Sequence, residues 1–284
     1  MTAEASLAPG LYLVSTPIGN LEDITLRAIR VLKQADLIAC EDTRQTQKLL
    51  NHYGITTRAI SYHEHNEASR AAELIESLAQ GARIAIVSDA GTPGISDPGF
   101  RLVSLAIQRG ITVVTLPGPT AFVSALVASG LPLEPCSFRG FLPPKSGARR
   151  RELEKIRESR STEIFYEAPH RLHEALEDVS AVLGAGRLVV IARELTKIHE
   201  EFLRGTAGQV LGVLKSRGDV KGEIVLLIGP ESGGNAGPSE ISVRERVEQI
   251  MRQEELDEKA ALKKTAKERG ISKSAAYRQL QKLK

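Results

Sequence analysis

The chain has 284 residues, 42% of them hydrophobic and 26% charged, which excludes an intrinsically disordered protein and predicts two domains or more. Its longest apolar runs, such as residues 224–228, are far shorter than the roughly 20 residues that cross a bilayer, and residues 1–9 lack the pattern of a signal peptide. Two cysteines, Cys40 and Cys136, cannot build a disulfide framework or a thiolate metal site unaided, so a reducing, cytoplasmic location is expected.

The first half of the chain alternates short β-branched runs with amphipathic segments. Continuous apolar strands separated by helices are typical of a parallel sheet that is covered on both faces. The predicted strands span residues 11–15, 37–40, 83–88 and 111–116, and the predicted helices span residues 25–34, 44–53, 67–80, 100–109 and 121–129.

A segment rich in proline and glycine, residues 130–144, interrupts this pattern, and a second alternation follows it. The later predicted strands span residues 163–166, 188–192 and 223–228, and the later helices span residues 152–159, 171–183 and 207–215. We therefore expect an α/β domain at residues 10–122, a second at residues 123–230, a linker at residues 231–240 and a helical module at residues 241–284.

The net charge of +3 is distributed unevenly along the chain. Residues 259–284 hold nine Lys or Arg and one acid, a charge of +8, so the preceding residues carry −5. Residues 258–269 and 273–283 are predicted to be helices around a turn at residues 270–272, a pattern shared by helix-turn-helix modules and many helical hairpins. A basic tail on an acidic body indicates contact with nucleic acid, although a solvent-exposed charged helix has the same pattern.

Glycine and proline are concentrated in the loops that follow three predicted strands: residues 16–20, 89–99 and 117–120. Ligands of open α/β sheets bind beyond the carboxyl ends of strands, where glycine lets the backbone approach closely and proline holds the loop shape. The loops match neither the Gly-x-x-x-x-Gly-Lys-Ser/Thr nor the Gly-x-Gly-x-x-Gly pattern. They hold Asp89 and Asp97 but no Lys, which favours a ligand with hydroxyls or a positive charge, such as a sulfonium attached to a nucleoside.

Four polar clusters are predicted to follow strands and line the same cleft: residues 41–44, 63–66, 166–171 and 193–197. His63 and His65 would share one face of an extended segment. No third ligand is spaced for a metal site, so hydrogen bonding is their expected role.

Charged pairs in two of these clusters also have a purely structural explanation. Glu41 and Arg44 could form an ion pair at the start of a helix, with residue 42 or 43 as the N-cap, and this structural role is as well supported as a catalytic one. Arg193 and Glu194 could likewise pair structurally at a strand end. Residues 145–160, with seven basic side chains and three acids, form either a second phosphate-contacting surface or an exposed charged helix.

Eight segments together resemble the ribosomal RNA small subunit methyltransferase I family, bacterial cytidine 2′-O-methyltransferases of the tetrapyrrole-methylase fold. The segments are residues 11–20, 40–44, 62–66, 87–99, 116–119, 165–171, 193–197 and 221–229, and the resemblance covers about residues 10–230. Residues 241–284 resemble the helical C-terminal module of the same family. Tetrapyrrole methylases usually have a Gly-rich first loop, whereas residues 16–20 are Thr-Pro-Ile-Gly-Asn, which favours the RNA branch of the fold.

The resemblance implies an α/β protein with two domains of tetrapyrrole-methylase type, S-adenosylmethionine in the cleft between them, and a small helical C-terminal module. It implies 2′-O-methylation of a decoding-region cytidine in 16S rRNA, presented as rRNA or as the small ribosomal subunit, by a homodimer with no membrane contact. The residues expected to bind the cofactor are Thr16, Pro17, Gly19, Asn20, Asp89, Ala90, Gly91, Thr92, Pro93, Pro117, Gly118, Thr120, Ala121, Phe165, Tyr166, Glu167, Ala192 and Leu195.

The implied reaction needs help at the ribose oxygen. A hydroxyl is a poor nucleophile, so a base or a cation that stabilises charge on its oxygen is expected, while the neutral thioether leaves unaided and no metal is required. The candidate bases or orienting groups are Glu41, Asp42, His63, Glu64 and Glu194, and the candidate cations are Arg44, Arg193 and Lys197.

Two other functions fit the same residues. A tetrapyrrole methylase of the same fold would act independently of the basic tail, and a non-catalytic RNA-binding protein would not bind the cofactor. Deleting residues 241–284 tests the first, because phosphate contacts dominate the salt dependence of RNA binding. Calorimetry with S-adenosylmethionine tests the second.

Overall fold

The computed structural model describes residues 6–231, 243–254, 256–268, 274, 276, 277 and 280. These residues fall into two compact units, divided in the chain after Glu231. The first unit contains two five-stranded sheets with helices packed against them, and the second unit is helical.

The first sheet is formed by five parallel strands. Its strands are β1 (Gly10–Val14), β2 (Leu37–Cys40), β3 (Ala59–Ser61), β4 (Arg83–Ile86) and β5 (Val113–Leu116), and its helices are α1 (Leu26–Gln34), α2 (Thr43–His52), α3 (Glu67–Ala79) and α4 (Phe100–Gln108). The strand order is β3-β2-β4-β1-β5. Helices α1 and α2 cover one face, around Val31 and Leu50, and α3 and α4 cover the other, around Leu74 and Leu102. The predicted parallel sheet with two covered faces is confirmed.

Side-chain caps determine where α1 and α2 begin. Oγ1 of Thr25 accepts a hydrogen bond from the N–H of Ala28 at 3.0 Å, and Oδ1 of Asp42 accepts one from the N–H of Arg44 at 2.8 Å. Each bond satisfies a donor that the first turn of a helix leaves without an intrahelical acceptor. Of the two N-cap residues predicted for α2, the structure selects Asp42.

The second sheet is mixed. It contains β6 (Cys136–Phe141), β7 (Thr162–Glu167), β8 (Leu188–Arg193), β9 (Glu201–Thr206) and β10 (Ile224–Ile228), with helices α5 (Ala121–Ser129), α6 (Ser146–Lys155), α7 (Leu172–Leu183) and α8 (Ala207–Arg217). Its order is β6-β7-β10-β8-β9, and only β6 and β7 pair in parallel. Helices α6, α7 and α8 pack on one face, and α5 packs on the other beside Val190 and Val225.

The structure corrects the predicted elements at four places. Strands β3, β6 and β9 were absent from the prediction, because β3 has only three residues while β6 and β9 contain glycine and arginine and are never fully buried. Strand β6 lies inside the segment expected to be a break. The helix expected at residues 152–159 spans Ser146–Lys155 instead, because Arg149, a polar residue in the sequence pattern, is 1% exposed and faces the core side of that helix.

The boundary expected between residues 122 and 123 falls within α5. Phe122 stacks on Phe138 of β6 with ring centroids 4.5 Å apart, and Ala125 and Leu126 pack in the same cluster as the second sheet. Residues on both sides of the expected boundary therefore contact the second sheet, and the division of residues 10–230 at this position stays a prediction.

Where the structure describes it, the second unit contains α9 (Val243–Glu254), α10 (Glu258–Glu268) and four further helical residues. Its core contains Val247 and Ile250 of α9 and Ala261 and Leu262 of α10. The predicted helix at residues 258–269 is confirmed as far as Glu268. The predicted turn at residues 270–272, most of the linker and most of the helix at residues 273–283 lie outside the described residues. None of the described helices is long and apolar enough to cross a membrane.

Candidate functional site

A cavity of about 350 Å³ lies between the loop after β4, the start of α5 and the second sheet. Residues 89–92 and 95–97 line one side, Thr120 and Ala121 contribute at the start of α5, and the ends of β7 and β8 with the start of β10 line the other side. This volume is in the range of small-molecule sites. The cavity lies at the carboxyl ends of strands, where the sequence predicts the ligand-binding loops.

One wall of the cavity comes from paired positions on three neighbouring strands. Val225 of β10 lies opposite Tyr166 of β7 and opposite Ala192 of β8. Residues at paired positions point to the same face of a sheet, so these three side chains line the cavity together. Val225 was not predicted as a site residue, because its sequence pattern indicates a buried strand but not which strands lie beside it.

Hydroxyl groups connect the three turns that are rich in glycine and proline. Oγ of Ser15 lies 3.0 Å from Oγ1 of Thr92, which lies 2.8 Å from Oγ1 of Thr120. The backbones of Thr16 and Gly91 exchange two hydrogen bonds of 2.9 and 3.0 Å. The turns after β1, β4 and β5 therefore form one rigid surface.

More than half of the residues expected to bind the cofactor line the cavity. These are Asp89, Ala90, Gly91, Thr92, Thr120, Ala121, Tyr166, Glu167, Ala192 and Leu195. The others lie outside its lining: Thr16, Pro17, Gly19, Asn20, Pro93, Pro117, Gly118 and Phe165. The lining also includes residues that were not among those expected to bind the cofactor: Ile18, Ile95, Ser96, Asp97, Phe141, Ala168, Pro169, Gly222, Glu223, Ile224 and Val225.

The first turn makes close contact with the segment after β8. The N–H of Asn20 donates to Oγ1 of Thr196 at 3.0 Å. A Cβ atom on Gly19 would lie 2.4 Å from Cγ of Lys197 and 3.0 Å from the carbonyl oxygen of Leu195. Glycine is therefore required there for the two segments to approach, although neither Gly19 nor Asn20 lines the cavity.

Alternation along β7 separates the roles of three predicted residues. Tyr166 faces the cavity, whereas Phe165 lies in the core on the opposite face. Glu167 is two residues further along β7 and lies on the same face as Phe165. Its Oε1 accepts hydrogen bonds from the N–H of Ala168 at 2.7 Å and from Nε of Arg171 at 3.1 Å. The Glu167 carboxylate therefore holds the turn after β7, which lines the cavity.

Acidic side chains gather at the carboxyl ends of β2 and β4. Burial raises the pKa of Glu41, and the charge of Asp89 raises it further. Burial also raises the pKa of Asp97 to about 6, with a further contribution from Glu41. Asp42 differs, because hydrogen bonds from Arg44 lower its pKa to about 2. Oδ1 of Asp89 accepts the N–H of Asp42 at 3.0 Å, which joins the loop after β2 to the cavity lining.

The predicted catalytic residues of the first sheet are not part of the cavity lining. This applies to Glu41, Asp42, Arg44, His63 and Glu64. In the part of the chain that the structure describes, no group of three or more His, Cys, Asp or Glu side chains could hold a metal ion. The catalytic roles of these five predicted residues stay predictions.

Arg193, Glu194 and Lys197 form ion pairs at the rim of the cavity. Oε1 of Glu194 accepts hydrogen bonds from Nζ of Lys197 at 2.8 Å and from the N–H of Glu223 at 3.0 Å. The bond from Lys197 lowers the pKa of Glu194. Arg193 donates to Glu201 and to the carbonyl of Lys221. The pair considered from the sequence, Arg193 with Glu194, is not formed, because Glu194 pairs with Lys197 and Arg193 with Glu201. These contacts position the segment that contains Gly222 and Glu223.

Comparison with known proteins agrees with this geometry. The family model of the Tetrapyrrole (Corrin/Porphyrin) Methylases matches residues 10–211. The crystal structure of the methyltransferase CobJ covers 81% of this chain and 97% of its own, with a TM-score of 0.59 and 21% identity. Uroporphyrin-III-C-methyltransferase from Thermus thermophilus covers 78% of this chain and 94% of its own, with a TM-score of 0.54 and 21% identity. At such identities these structures establish the fold alone.

Relatives with higher sequence identity share one name, Ribosomal RNA small subunit methyltransferase I. The protein of Halalkalibacterium halodurans is 49% identical over 94% of this chain and 93% of its own length. Those of Mesorhizobium japonicum and Escherichia coli O157:H7 are each 46% identical, over 98% and 94% of this chain and 93% of their own lengths. The chain therefore belongs to the tetrapyrrole methylase family and, within it, to the group named Ribosomal RNA small subunit methyltransferase I.

Methylases of this family depend on S-adenosylmethionine, and the cavity suits that molecule. Ile18, Leu195 and Val225 offer apolar surface, and Thr92 and Thr120 offer hydroxyls. Among the described residues that line the cavity, four carry carboxylates and none is Lys or Arg. A sulfonium with an attached nucleoside has the apolar, hydroxyl and cationic groups that such a lining complements.

Proposed function

We propose that this protein methylates the ribose 2′-oxygen of a cytidine in the decoding region of bacterial 16S rRNA, with S-adenosylmethionine as the methyl donor. The observation that carries the proposal is the cavity, whose described lining contains four carboxylates and no Lys or Arg and which lies beside three turns that are linked through hydroxyl groups. The chain that forms this cavity is 49% identical to a Ribosomal RNA small subunit methyltransferase I. Because substrate specificity follows from sites and not from folds, the relatives' name carries more weight here than the tetrapyrrole methylases of similar fold.

The donor would be held by residues of the cavity lining. When bound, S-adenosylmethionine supplies a methyl group on a positively charged sulfur, which leaves as a neutral thioether. Ile18, Leu195 and Val225 would exclude water from the reacting atoms, and Thr92 and Thr120 would orient the donor. The remaining predicted cofactor residues, such as Thr16 and Gly118, would act by shaping the turns. Positioning of this kind supplies much of the acceleration when the leaving group departs unaided.

The RNA would be held by exposed cations. The Arg44 side chain, which is paired with Asp42, is 88% exposed at the start of α2 and is the most exposed of the three predicted cations. The basic residues of the second unit, including the exposed Lys259 and Lys263, would add phosphate contacts. We also propose that the protein acts as a homodimer in the cytoplasm, on rRNA or on the small ribosomal subunit.

Mass mapping of ribose methylation tests the proposal. We expect 16S rRNA from cells without this protein to lack one 2′-O-methyl group in the decoding region and to regain it when the protein is supplied. Calorimetry should detect binding of S-adenosylmethionine to the purified protein. An unchanged methylation map with intact donor binding would point to another substrate, and tetrapyrroles would be assayed next. Absence of donor binding would leave only an RNA-binding role.

A further inference from the structure

Asp97 extends from the loop after β4 into the lining of the cavity, where it is half-buried. The loop has an unusual backbone, since Ser96 has a φ of 61° and Gly94 and Gly99 also have positive φ values. A non-glycine residue with a positive φ destabilises the folded protein by roughly 1 kcal/mol or more, and such residues are concentrated at functional sites.

The other carboxylates of the lining are already engaged. Asp89 accepts the N–H of Asp42, Glu167 is paired with Arg171, and Glu223 is paired with Lys197. Asp97 lies near Ser88 and, among the described residues, forms no ion pair. Asp89 and Asp97 are therefore the carboxylates of the lining whose charge no neighbouring cation neutralises, and of the two Asp89 is exposed while Asp97 is half-buried.

Titratable groups face Asp97 from both sheets. Glu41 after β2 and Asp89 after β4 lie on one side, and both disfavour its charge. Tyr166 of β7 lies on the other side, near enough that the charge of Asp97 raises the pKa of the phenol. Burial and the two acids raise the pKa of Asp97 to about 6, so at neutral pH it is ionised and a stronger base than an exposed aspartate.

We propose that Asp97 is the base that accepts the proton of the ribose 2′-hydroxyl during methyl transfer. The proposal rests on the function proposed above. A base works best when its pKa lies near the working pH, which an ordinary aspartate does not achieve. The predicted catalytic acids Glu41 and Glu194 are less suited, because Glu41 lies outside the lining and Glu194 is paired with Lys197.

The proposed step balances in atoms and charge. The O–H bond of the ribose hydroxyl breaks and its proton moves to a carboxylate oxygen of Asp97. The electron pair left on the ribose oxygen forms the bond to the methyl carbon, and the pair of the breaking C–S bond leaves with sulfur. One negative and one positive charge disappear together, which a cavity of low dielectric constant favours. The protonated Asp97 then loses its proton to solvent before the next turnover.

Single-turnover methyl transfer to small ribosomal subunits that lack the methyl group tests the proposal, with saturating donor and from about pH 5 to about pH 9. We expect the rate of the unaltered protein to rise with pH while Asp97 becomes ionised and to level off above the pKa of Asp97 in the donor complex. The Asp97→Asn variant should be at least about 100-fold slower above neutral pH, without that inflection. Asp219→Asn, at an exposed acid between α8 and β10, is the matched control and should follow the unaltered protein.

Two further measurements do not depend on turnover. The carboxyl carbon of ¹³C-labelled aspartate should show one resonance that titrates near pH 6 in the free protein and is missing from Asp97→Asn. Calorimetry should show that the variant loses far less affinity for S-adenosylmethionine than it loses rate. A rate within about tenfold of the unaltered protein, a retained inflection, or a loss of donor affinity that equals the loss of rate would each overturn the proposal. If the unaltered protein leaves the subunits unmethylated, the proposed function itself fails.

Discussion

Gly222 shows how closely the residues at the rim of the cavity are packed. Its φ is +96°, and a Cβ atom there would lie 2.5 Å from Cδ of Glu194. Glu194 cannot simply turn away, because Lys197 and the N–H of Glu223 both bond its Oε1. We expect Gly222→Ala to displace Glu194 and to weaken binding of S-adenosylmethionine about tenfold in calorimetry, a change of about 1.4 kcal/mol.

Gly218 provides the matched control for that substitution. Its φ is +79°, and a Cβ atom there would meet nothing within 4 Å. Both alanine variants should lose roughly 1–2 kcal/mol of stability from the left-handed backbone, and only Gly222→Ala should lose donor affinity. Equal affinities in the two variants would show that the contact with Glu194 does not shape the cavity.

Asp97 should also affect folding stability in a way that depends on pH. Because its pKa is raised to about 6, the folded protein binds this proton more tightly than the unfolded chain does. The free energy of unfolding therefore falls as pH rises from about 4 to above about 6. Asp97→Asn removes the buried charge, so calorimetric scans should show a Tm about 2–4 °C higher at about pH 8 and unchanged at about pH 4. A lower Tm at the higher pH would contradict this.

Among the elements, α6 and α7 are held together by a buried ion pair. Nε of Arg149 donates to Oδ2 of Asp178 at 2.7 Å, and both side chains are almost fully buried. Arg150, on the next position of α6, donates to Oδ1 of the same carboxylate at 2.6 Å but is 56% exposed. Burial favours the neutral acid, but the bonds from Arg150 and Arg149 outweigh it and lower the pKa of Asp178.

We expect Arg149→Ala to destabilise the protein by about 3–5 kcal/mol, because it leaves Asp178 with a buried charge and only an exposed partner. Arg150→Ala should cost less than about 1 kcal/mol. Urea unfolding of the two variants at neutral pH measures the difference. Since the pKa of Asp178 is lowered, the difference should shrink as pH falls below about 4. Equal costs for both arginines would refute the assignment of Arg149 as the structural partner.

At the scale of the whole molecule, the uneven charge predicts how the protein binds RNA. Each phosphate that a lysine neutralises contributes about 0.7–0.9 to the slope of log affinity against log salt. The double variant Lys259→Gln/Lys263→Gln in the full chain should therefore reduce the magnitude of that slope for rRNA by about 1.5. Filter binding at several salt concentrations measures the slope, with S-adenosylmethionine affinity expected to stay unchanged.

The control for that experiment is a second double variant that changes the net charge of the protein by the same amount. Lys155 and Lys215 are exposed but paired with Glu152 and Glu177. The variant Lys155→Gln/Lys215→Gln should keep the original slope, because these charges are already neutralised within the protein. Equal reductions in both double variants would mean that net charge, and not the second unit, governs RNA binding.

The amino-acid sequence by itself determined the local features of this protein. Apolar runs and helix caps predicted four of the five strands of the first sheet and its four helices to within two residues at their ends. The reason is that the spacing of buried residues and helix capping depend on neighbours within a single turn or strand. The resemblance identified the family and the turns beside the cavity. Only the tertiary structure decided that β10 lies antiparallel between β7 and β8, which brings Val225 opposite Tyr166 and Ala192. It also decided that Asp97 faces the cavity while Glu41 is not part of its lining, because strand order and loop direction depend on contacts between residues far apart in the chain.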